Sequence, residues 1–458
     1  MTERFAYDEV PYDSEANADA HPNVLGTIAK LCGLAAAPPS TCRVLEIGCG
    51  NGESLLAMAT YLPRARFVGF DLAKAAIEAG RKLSPSNVEL FTADVRDAPI
   101  ERGAFDYVIV HGLYSWVPEA IRDDVLRQLR DALAPNGVGL LSINALPGWE
   151  LRRSLRSLGR HVTRNDGDPK TKVEKTLALA DAIAEAGEGE RGFLGALASS
   201  ARAYRVHVAE ATPPDAPYPR YVFHDLLAEH NDAFSVAELE QRLQAAGLRL
   251  VCEVPLRRER LGEFRDLARV MALEGTPFLQ VLVARAEANV NAPSRAAVAD
   301  LSLWADFEPA GAGAYKTTTG ATLRIPETHV LARAAARAPG FIPVREITDD
   351  DNVRAGLVEQ LFETYVGGIL TLVVEAPAIA TSPERPRIAD HVRKRIDAAL
   401  ARNASSCVLT NALHKSYEVP AADLAILKTL DGTKAVETST EKVVFDRYRR
   451  HLYFVEDA

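Results

Sequence analysis

Short apolar runs alternate with segments of helical periodicity between residues 43 and 143. Runs that are apolar throughout are typical of strands buried in a parallel sheet, and the segments between them repeat apolar residues at helical spacing. This alternation predicts a parallel sheet covered by helices on both faces, which is an α/β fold. The predicted strands are Val44–Ile47, Arg66–Leu72, Val88–Val95, Phe105–Val110 and Val138–Asn144.

A second pattern begins near residue 151. Residues 151–211 show helical periodicity throughout, apart from a break of glycine, aspartate and proline residues at 166–169. Ser235 and Glu238 then have the spacing of a capping box at the start of a further helix. The apolar runs Leu248–Val254 and Phe278–Ala284 follow, and we expect both to be strands.

Glycines 48, 50 and 52 mark the turn between the first predicted strand and the helix after it. Glycine lets the backbone adopt conformations closed to other residues and approach a ligand closely. A glycine-rich strand-to-helix turn occurs in several nucleotide-binding folds. By itself it predicts a cofactor site without naming the cofactor.

Acidic residues narrow the choice of cofactor. Asp71 and Asp94 end the second and third predicted strands, and Glu46 lies within the first. The alternative is a nicotinamide-binding domain, which is expected to carry Gly-x-Gly-x-x-Gly and to seat a pyrophosphate on a helix N-terminus. Here the third glycine comes one residue early. A cradle that contains Glu46 and lacks a nearby lysine suits a cationic sulfonium better than a pyrophosphate.

Together these motifs resemble the class I S-adenosylmethionine-dependent methyltransferases. The resemblance implies that Asp71 holds the ribose of S-adenosylmethionine and that Asp94 faces its adenine amino group. The cofactor-binding residues predicted on this basis are Tyr7, Glu46, Gly48, Cys49, Gly50, Asp71, Leu72, Asp94, Val95 and His111.

The same resemblance implies how the rest of the chain is divided, because that family completes its sheet with a sixth strand and an antiparallel seventh. We expect an N-terminal arm and Rossmann-like core over 1–150, a helical insertion over 151–230, completion of the sheet over 231–287, and an α+β accessory region over 295–458. In the last region we expect a hairpin over Tyr315–Ile325 and helices over Thr328–Ala338, Val353–Leu372 and Ile388–Ala401.

Composition limits the partners. The chain has 458 residues and a formal net charge of -9, which argues against broad affinity for nucleic acid. Its five cysteines are scattered without Cys-x-x-Cys spacing, so we predict neither a disulfide framework nor a metal site. No charge-free apolar stretch has the length of a membrane span or signal peptide. We therefore expect a soluble, cytoplasmic protein with no membrane partner.

Polar and aromatic residues follow the strand ends, where open α/β sheets bind ligands. His111 is a candidate general base or a hydrogen-bonding partner of the cofactor carboxylate, with core packing as the alternative. Aromatic residues near the crevice either contact cofactor and acceptor or pack into the core. Asn144 and Trp149 either bind substrate or belong to a Pro-Gly turn. The predicted catalytic residues are Tyr12, His111, Tyr114 and Trp116, and the predicted substrate-binding residues are Asn144 and Trp149.

A closer resemblance covers nearly the whole chain. Its motifs are Tyr7–Tyr12, Val44–Gly50, His111–Pro118, Asn144–Trp149, Tyr221–His224 and Leu430–Thr433. They are similar to those of methyltransferases that carry a methyltransferase regulatory domain, whose characterised members are the rickettsial protein lysine methyltransferases. This resemblance implies methylation of lysine side chains on proteins and a homodimer formed through the helical insertion.

The chain departs from that family in two places. Residues 13–22 lack the family's aromatic patch, and Leu146 stands where the family has an aromatic hydroxyl. Three functions therefore stay open. The chain is a protein or peptide N-methyltransferase, a small-molecule N- or O-methyltransferase, or a regulator that binds S-adenosylmethionine without turnover.

Overall fold

The computed structural model describes residues 10, 12, 16–212, 216–257, 274–305, 307–311, 313–317, 322–379 and 384–455. The strands of its largest sheet are β1 (Arg43–Ile47), β2 (Arg66–Asp71), β3 (Val88–Thr92), β4 (Phe105–Val110), β5 (Leu133–Ala145), β6 (Ala233–Phe234), β7 (Leu248–Glu253) and β8 (Phe278–Arg285). Their order is β3-β2-β1-β4-β5-β8-β7, and the short β6 pairs with the end of β5. Strands β1 to β5 are parallel, whereas β8 is antiparallel to both of its neighbours. The predicted α/β sheet and its antiparallel final strand are confirmed.

Helices cover both faces of this sheet and extend beyond it. They are α1 (Pro22–Leu31), α2 (Glu53–Tyr61), α3 (Lys74–Arg81), α4 (Glu119–Ala132), α5 (Trp149–Val162), α6 (Pro169–Ala186), α7 (Gly192–Ala211) and α8 (Val236–Ala245). Along β4, Tyr107 and Ile109 enter one hydrophobic core and Val108 and Val110 enter the other. The strand is apolar throughout because successive side chains point to opposite faces and both faces are buried.

The helical stretch expected after residue 151 is present as α5, α6 and α7, which share a hydrophobic cluster of their own. The break at 166–169 separates α5 from α6, where Asp168 caps the new helix by accepting a hydrogen bond from the Thr171 amide. The short helical segments Arg220–Val222 and Phe223–Leu227 follow. The predicted capping box is also confirmed, since Ser235 and Glu238 exchange hydrogen bonds at the start of α8.

The C-terminal region contains further helices and small sheets. Its elements are β9 (Ser302–Trp304), β10 (Phe307–Pro309), β11 (Ala314–Thr317), β12 (Thr322–Arg324), α9 (Val330–Arg337), β13 (Ile342–Pro343), α10 (Asp351–Val366), β14 (Thr371–Val373), β15 (Arg387–Ile388), α11 (Asp390–Ala401), β16 (Ser406–Thr410), β17 (Ser416–Pro420), α12 (Ala421–Leu427), α13 (Ser439–Arg450) and β18 (Phe454–Val455). The predicted hairpin is present as β11 and β12.

The predicted helix over Val353–Leu372 is wrong at its C-terminal end. It ends at Val366, where Gly367 forms the cap and Gly368 takes a φ of 70°. The chain then enters β14, which pairs with β9. Leu372, at the end of the predicted helix, therefore belongs to a strand, and the two glycines were the stop signal.

A buried ionic cluster joins the C-terminal region to the helix that follows the glycine turn. Glu53, the first residue of α2, accepts hydrogen bonds from His391 Nε2 at 3.0 Å and from the Arg395 guanidinium, both on α11. Burial opposes ionisation of Glu53, but the His391 hydrogen bond and the Arg395 charge outweigh it and lower its pKa to about 2. The C-terminal region thus holds the first turn of α2 in place.

Replacing Arg395 by alanine should destabilise the protein by about 3 kcal/mol, because it leaves the buried Glu53 carboxylate without its main cation. Stability from Glu53 is present above its ordinary pKa near 4.5 and is lost as the pH falls toward the folded value of about 2. The variant should therefore lose less stability on acidification than the wild type. Urea denaturation at pH 7 and pH 3 measures both effects, because the loss falls between about pH 4.5 and pH 2.

Two variants control for this experiment. Lys394→Ala changes an exposed residue on the same helix and should alter stability by less than about 0.5 kcal/mol. Glu53→Met combined with Arg395→Met should be more stable than Arg395→Ala, since no charge stays buried alone. Equal stability of Arg395→Ala and Lys394→Ala would contradict the role assigned to this cluster.

Candidate active site

The glycine turn follows the carboxyl end of β1. Gly48, Gly50 and Gly52 have φ values of 76°, 56° and 74°, in the left-handed region that glycine adopts most readily. A Cβ atom at position 48 would also lie 3.0 Å from the Leu113 side chain. The backbone conformation therefore favours glycine at position 48, and a larger residue would also displace the Leu113 side chain.

Asp71 anchors this turn from the end of β2. Its Oδ2 accepts a hydrogen bond from the Gly50 amide at 2.9 Å, and its Oδ1 accepts one from the Ala73 amide at 2.8 Å. The Phe70 carbonyl accepts further hydrogen bonds from the amides of Gly48 and Cys49. The acid predicted to bind ribose therefore also fixes the shape of the cradle.

Glu46 lies one residue before the end of β1 and is only 7% exposed. Its Oε2 atom is buried and has no hydrogen-bond partner among the described residues. Burial raises the pKa of Glu46 to about 8, and the Asp71 charge adds to this effect. Leaving a buried carboxyl oxygen unpaired is costly, and a bound cation would compensate it. This orphaned oxygen is the strongest sign of a ligand at the turn.

The other predicted cofactor residues on this edge differ in exposure. Leu72 is 47% exposed, Cys49 is buried and Val95 is partly buried. Asp94 lies two residues beyond β3, where its oxygens accept hydrogen bonds from Arg96 Nε at 2.9 Å and Nη2 at 2.6 Å. These hydrogen bonds lower the pKa of Asp94. A ligand that used Asp94 would share the carboxylate with Arg96, and its adenine-binding role stays a prediction.

His111 follows β4 directly and contacts the N-terminal segment. Its Nδ1 accepts a hydrogen bond from Asn17 Nδ2 at 3.2 Å, and its ring lies perpendicular to that of Phe278 at a centroid distance of 5.8 Å. Burial lowers the pKa of His111 to about 4, so the imidazole is neutral at physiological pH. The next residue, Gly112, donates its amide hydrogen to Ser142 Oγ.

Tyr114 and Trp116 lie in the turn after His111 and differ in environment. Tyr114 is fully buried, with its ring 5.3 Å from that of Phe234, and burial raises its pKa. Arg122 stacks on the Phe234 ring. Trp116 is partly exposed. This placement favours a packing role for Tyr114, while Trp116 is the one of the pair with access to solvent.

Asn144 and Trp149, at the end of β5 and the start of α5, are almost completely buried. The Asn144 side chain donates to Asn231 Oδ1 at 2.5 Å. The Trp149 ring supports the Arg152 guanidinium, which also lies over Tyr204. Trp149 connects the sheet with the insertion, and Asn144 connects β5 with the segment that follows the insertion. A direct contact with substrate stays a prediction for each.

Tyr12 is 46% exposed and meets the ring of His224 edge-on at a centroid distance of 5.4 Å. His224 belongs to the short helical segment Phe223–Leu227 near the end of the insertion, and burial lowers its pKa to about 4. The N-terminal segment therefore contacts both the insertion, through Tyr12, and the strand ends, through Asn17. The remaining predicted residue of the arm, Tyr7, lies outside the described residues.

Sequence reasoning missed several polar residues around this edge. Asn17 hydrogen-bonds both His111 and Gln280, and Arg152 forms a 3.6 Å ion pair with the buried Asp225. One signal was present, since Gln280 is a polar residue inside an otherwise apolar strand. Asn17 gave none, because its partners lie 94 and 263 residues away in sequence.

The site therefore combines a glycine cradle, an anchored Asp71, an uncompensated Glu46 and a neutral His111. Within the described ranges no group of three or more His, Cys, Asp or Glu side chains is arranged to hold a metal ion. In the same part of the chain, none of the helices combines the length and apolar character needed to cross a bilayer. The donors and acceptors present suit an organic ligand with a cationic group and hydroxyls.

Comparison with known proteins shows which family the chain resembles in sequence. The family model of a methyltransferase domain matches residues 44–137, which hold the glycine turn, Asp71, Asp94 and His111. The uncharacterized protein RP028 of Rickettsia prowazekii is 31% identical over 255 residues, which cover 55% of this chain and 98% of RP028. A malonyl-[acyl-carrier protein] O-methyltransferase of Legionella pneumophila is 33% identical over 97 residues, covering 21% of this chain and 34% of that enzyme.

Solved structures share the fold over nearly the full length. PKMT2 from Rickettsia typhi superposes with a TM-score of 0.81 at 22% identity, covering 97% of this chain and 100% of that protein. Its complex with AdoHcy gives a TM-score of 0.77 at 23% identity, covering 98% and 94% of the two chains. The likeness therefore includes the insertion and the C-terminal region as well as the sheet.

Proposed function

Because this chain belongs to the family of RP028, and its sheet is that of a class I S-adenosylmethionine-dependent methyltransferase, we propose that it methylates lysine-type amines of a protein or peptide. The observation that carries the cofactor half of this proposal is the buried Glu46 oxygen without a partner. The acceptor half rests on the family resemblance of the motifs and on the full-length likeness to PKMT2.

The cradle suits S-adenosylmethionine in charge and in its hydrogen-bond acceptors. This cofactor supplies a methyl group on a positively charged sulfonium, so the protein needs no further activation of the methyl carbon. Glu46 offers the charge that a cationic amino-acid portion requires, and Asp71 offers oxygens to hydroxyl groups. The two ligand groups need different partners. Glu46 is accordingly buried with an oxygen left for a cation, whereas Asp71 is held by backbone amides and is partly exposed.

The acceptor amine must reach the methyl group as a neutral nucleophile. A lysine amine with an ordinary pKa of about 10.4 loses its proton more easily in an apolar environment. Trp116 and Tyr12, the partly exposed aromatic residues of the site, supply such surfaces and can also hold a cationic amine by cation–π attraction. Alignment and exclusion of water then account for the acceleration.

The test is transfer of labelled methyl from S-adenosylmethionine to polypeptides of the source cell. We expect label on lysine side chains after digestion and mass spectrometry, with one S-adenosylhomocysteine formed per methyl transferred. Label on small molecules alone would contradict the acceptor class. Binding of the cofactor without turnover on any acceptor fraction would favour the regulator instead.

A small-molecule methyltransferase is the second candidate. It is favoured by Leu146 at the family's aromatic position and by the similarity of one part of the chain to an O-methyltransferase of an acyl-carrier protein substrate. A metabolite extract in the same transfer assay discriminates between the two candidates.

We further propose that the chain forms a homodimer through the helical insertion. Apolar side chains of α5 and α7 are unusually exposed: Leu158 40%, Val162 42%, Phe193 66%, Leu194 41% and Val206 59%. These side chains are the apolar surface of the insertion that a second copy of the chain would cover. Analytical ultracentrifugation should show a dimer that Phe193→Glu with Val206→Glu converts to monomer, while the exposed control Val443→Glu on α13 leaves it unchanged.

A further inference from the structure

A chain of side-chain amides connects His111 to the N-terminal segment. Asn17 caps the short turn Ala18–Ala20, where its Oδ1 accepts a hydrogen bond from the Asp19 amide at 3.1 Å. That bond fixes the orientation of the Asn17 amide, because its oxygen is already used by a backbone donor. The Asn17 NH2 group must therefore be the part that faces His111 Nδ1 at 3.2 Å and Gln280 Oε1 at 2.7 Å.

The orientation continues into β8. Gln280 presents its oxygen to Asn17, so its NH2 group is left to donate to Asp19 Oδ2 at 2.8 Å. Asp19 thus closes the network at both ends, through its backbone amide and through its carboxylate. Each amide in the network has only one orientation that satisfies its neighbours.

This network decides which nitrogen of His111 carries the proton. Nδ1 faces a donor and must be unprotonated, which leaves the hydrogen on Nε2. The opposite tautomer would set two N–H groups against each other. Burial also lowers the pKa of the ring to about 4, so a second proton is absent near neutral pH. His111 is consequently a neutral N–H donor with no lone pair free to accept a proton.

We propose that Asn17, Gln280 and Asp19 are positioning residues that hold His111 as an Nε2–H donor to the carboxylate of the bound cofactor. The inference rests on the proposed function and refines it, because a general-base role for His111 is replaced by cofactor binding. The neutral ring is suited to this task, since an imidazolium would place a positive charge beside a cationic ligand. The cofactor has one anionic group, its carboxylate, and this is the group that an N–H donor such as His111 can bind. Its cationic portion is assigned to Glu46.

The tautomer can be read directly by nuclear magnetic resonance of the ligand-free protein with 15N-labelled histidine. The His111 signals are identified by their loss in His111→Gln. We expect a neutral ring protonated on Nε2 from pH 5.5 to 8. A ring protonated on Nδ1, or one that titrates between pH 6 and 7, would overturn the proposal. This measurement does not depend on methyl transfer.

Binding of two probes tests the assignment of the ligand group. S-adenosylhomocysteine carries the amino-acid carboxylate and ammonium groups, whereas methylthioadenosine lacks both; of the two, only the carboxylate can accept a hydrogen bond from His111 Nε2. His111→Phe should weaken S-adenosylhomocysteine binding by about 10- to 100-fold and leave methylthioadenosine within about threefold, because a hydrogen bond to a charged group is lost. His111→Gln, which restores an N–H donor, should recover most of the affinity. Equal losses for both probes would indicate a structural role and contradict the proposal.

Asn17→Asp tests the positioning role through the pH dependence of binding, which a purely structural role of Asn17 would leave unchanged. The groups facing the ring are Asn17 and Phe278, and the ionisable groups beyond them are Asp19 and Arg257, which acts on Asp19. A carboxylate at position 17 would draw a proton to Nδ1 and raise the pKa of His111. Relative to the wild type, binding of S-adenosylhomocysteine should then gain a component that weakens as the pH rises, whereas Asn17→Ala should gain no such component.

These experiments distinguish failure of the positioning network around His111 from failure of the proposed methyltransferase function. If wild-type protein binds neither probe while the ring is protonated on Nε2, the proposed function fails and the network stands. If both probes bind but Asn17→Asp shows the wild-type pH profile, the positioning role fails and the function stands. Thermal unfolding of each variant confirms that it is folded.

Discussion

Glutamine in place of Glu46 should weaken binding of S-adenosylmethionine by about 10- to 150-fold at pH 8.5, the range expected for losing a charge-assisted contact. The buried carboxyl has an oxygen without a partner and a pKa near 8. A bound cation favours its ionised form, so below that pH binding must release a proton. The wild-type affinity should rise by up to about tenfold per pH unit between pH 6 and 8 and then level off.

Calorimetry in two buffers of different ionisation enthalpy counts the released proton directly. The wild type should release close to one proton per cofactor at pH 6.5, and Glu46→Gln should release none from this site. The affinity difference between the two proteins should also shrink as the pH falls. A wild-type affinity that is flat with pH would contradict the role assigned to Glu46.

Stability supplies the control for this variant. A carboxyl whose pKa is raised on folding contributes stability below its ordinary value near 4.5, and that contribution is lost as the pH rises through about 8. Glutamine resembles the protonated acid and does not ionise. The ligand-free variant should therefore be as stable as the wild type at pH 5 and more stable at pH 8.5, which excludes misfolding as the cause of lost binding.

Alanine at position 71 should reduce cofactor affinity by more than about 100-fold, since it removes the predicted ribose contacts and the anchor of the turn together. The side chain accepts hydrogen bonds from the Gly50 and Ala73 amides. Asp71→Asn should have an intermediate effect, because one amide oxygen can replace only one of the two carboxylate oxygens. Calorimetric titration with S-adenosylhomocysteine measures both variants.

The same pair of variants tests the coupling between the two acids. The Asp71 charge contributes to the raised pKa of Glu46. Asp71→Asn should therefore shift the pH at which cofactor affinity levels off to a lower value. Normal cofactor binding by Asp71→Ala would show that the cradle is not where the strand assignment puts it.

Much of the cofactor-binding site could be predicted from residues adjacent in sequence. The strand before the turn, glycines 48, 50 and 52, and the acid that ends β2 all lie in short segments whose spacing is set by local geometry. The capping box at Ser235 and Glu238 was equally readable. These features depend on backbone conformation and on neighbours within a few residues, which a linear pattern records.

The burial and the contacts of individual side chains could not be predicted from the sequence pattern. Tyr114 and Trp149 follow strand ends, as catalytic residues often do, yet both are buried by residues from distant elements. The division of the chain into four units also stays a prediction. Side chains such as Leu303 and Phe362 of the C-terminal region join the same hydrophobic core as Tyr107 of the sheet.

The sequence alone determined a parallel sheet with a cradle for a cationic cofactor, because apolar periodicity, glycines and acids act over short distances. Only the tertiary structure decided that Asn17 and Gln280 orient His111 and that Arg395 neutralises Glu53. Those contacts join residues far apart in the chain. Their effect on protonation arises from burial, a property that belongs to the folded molecule.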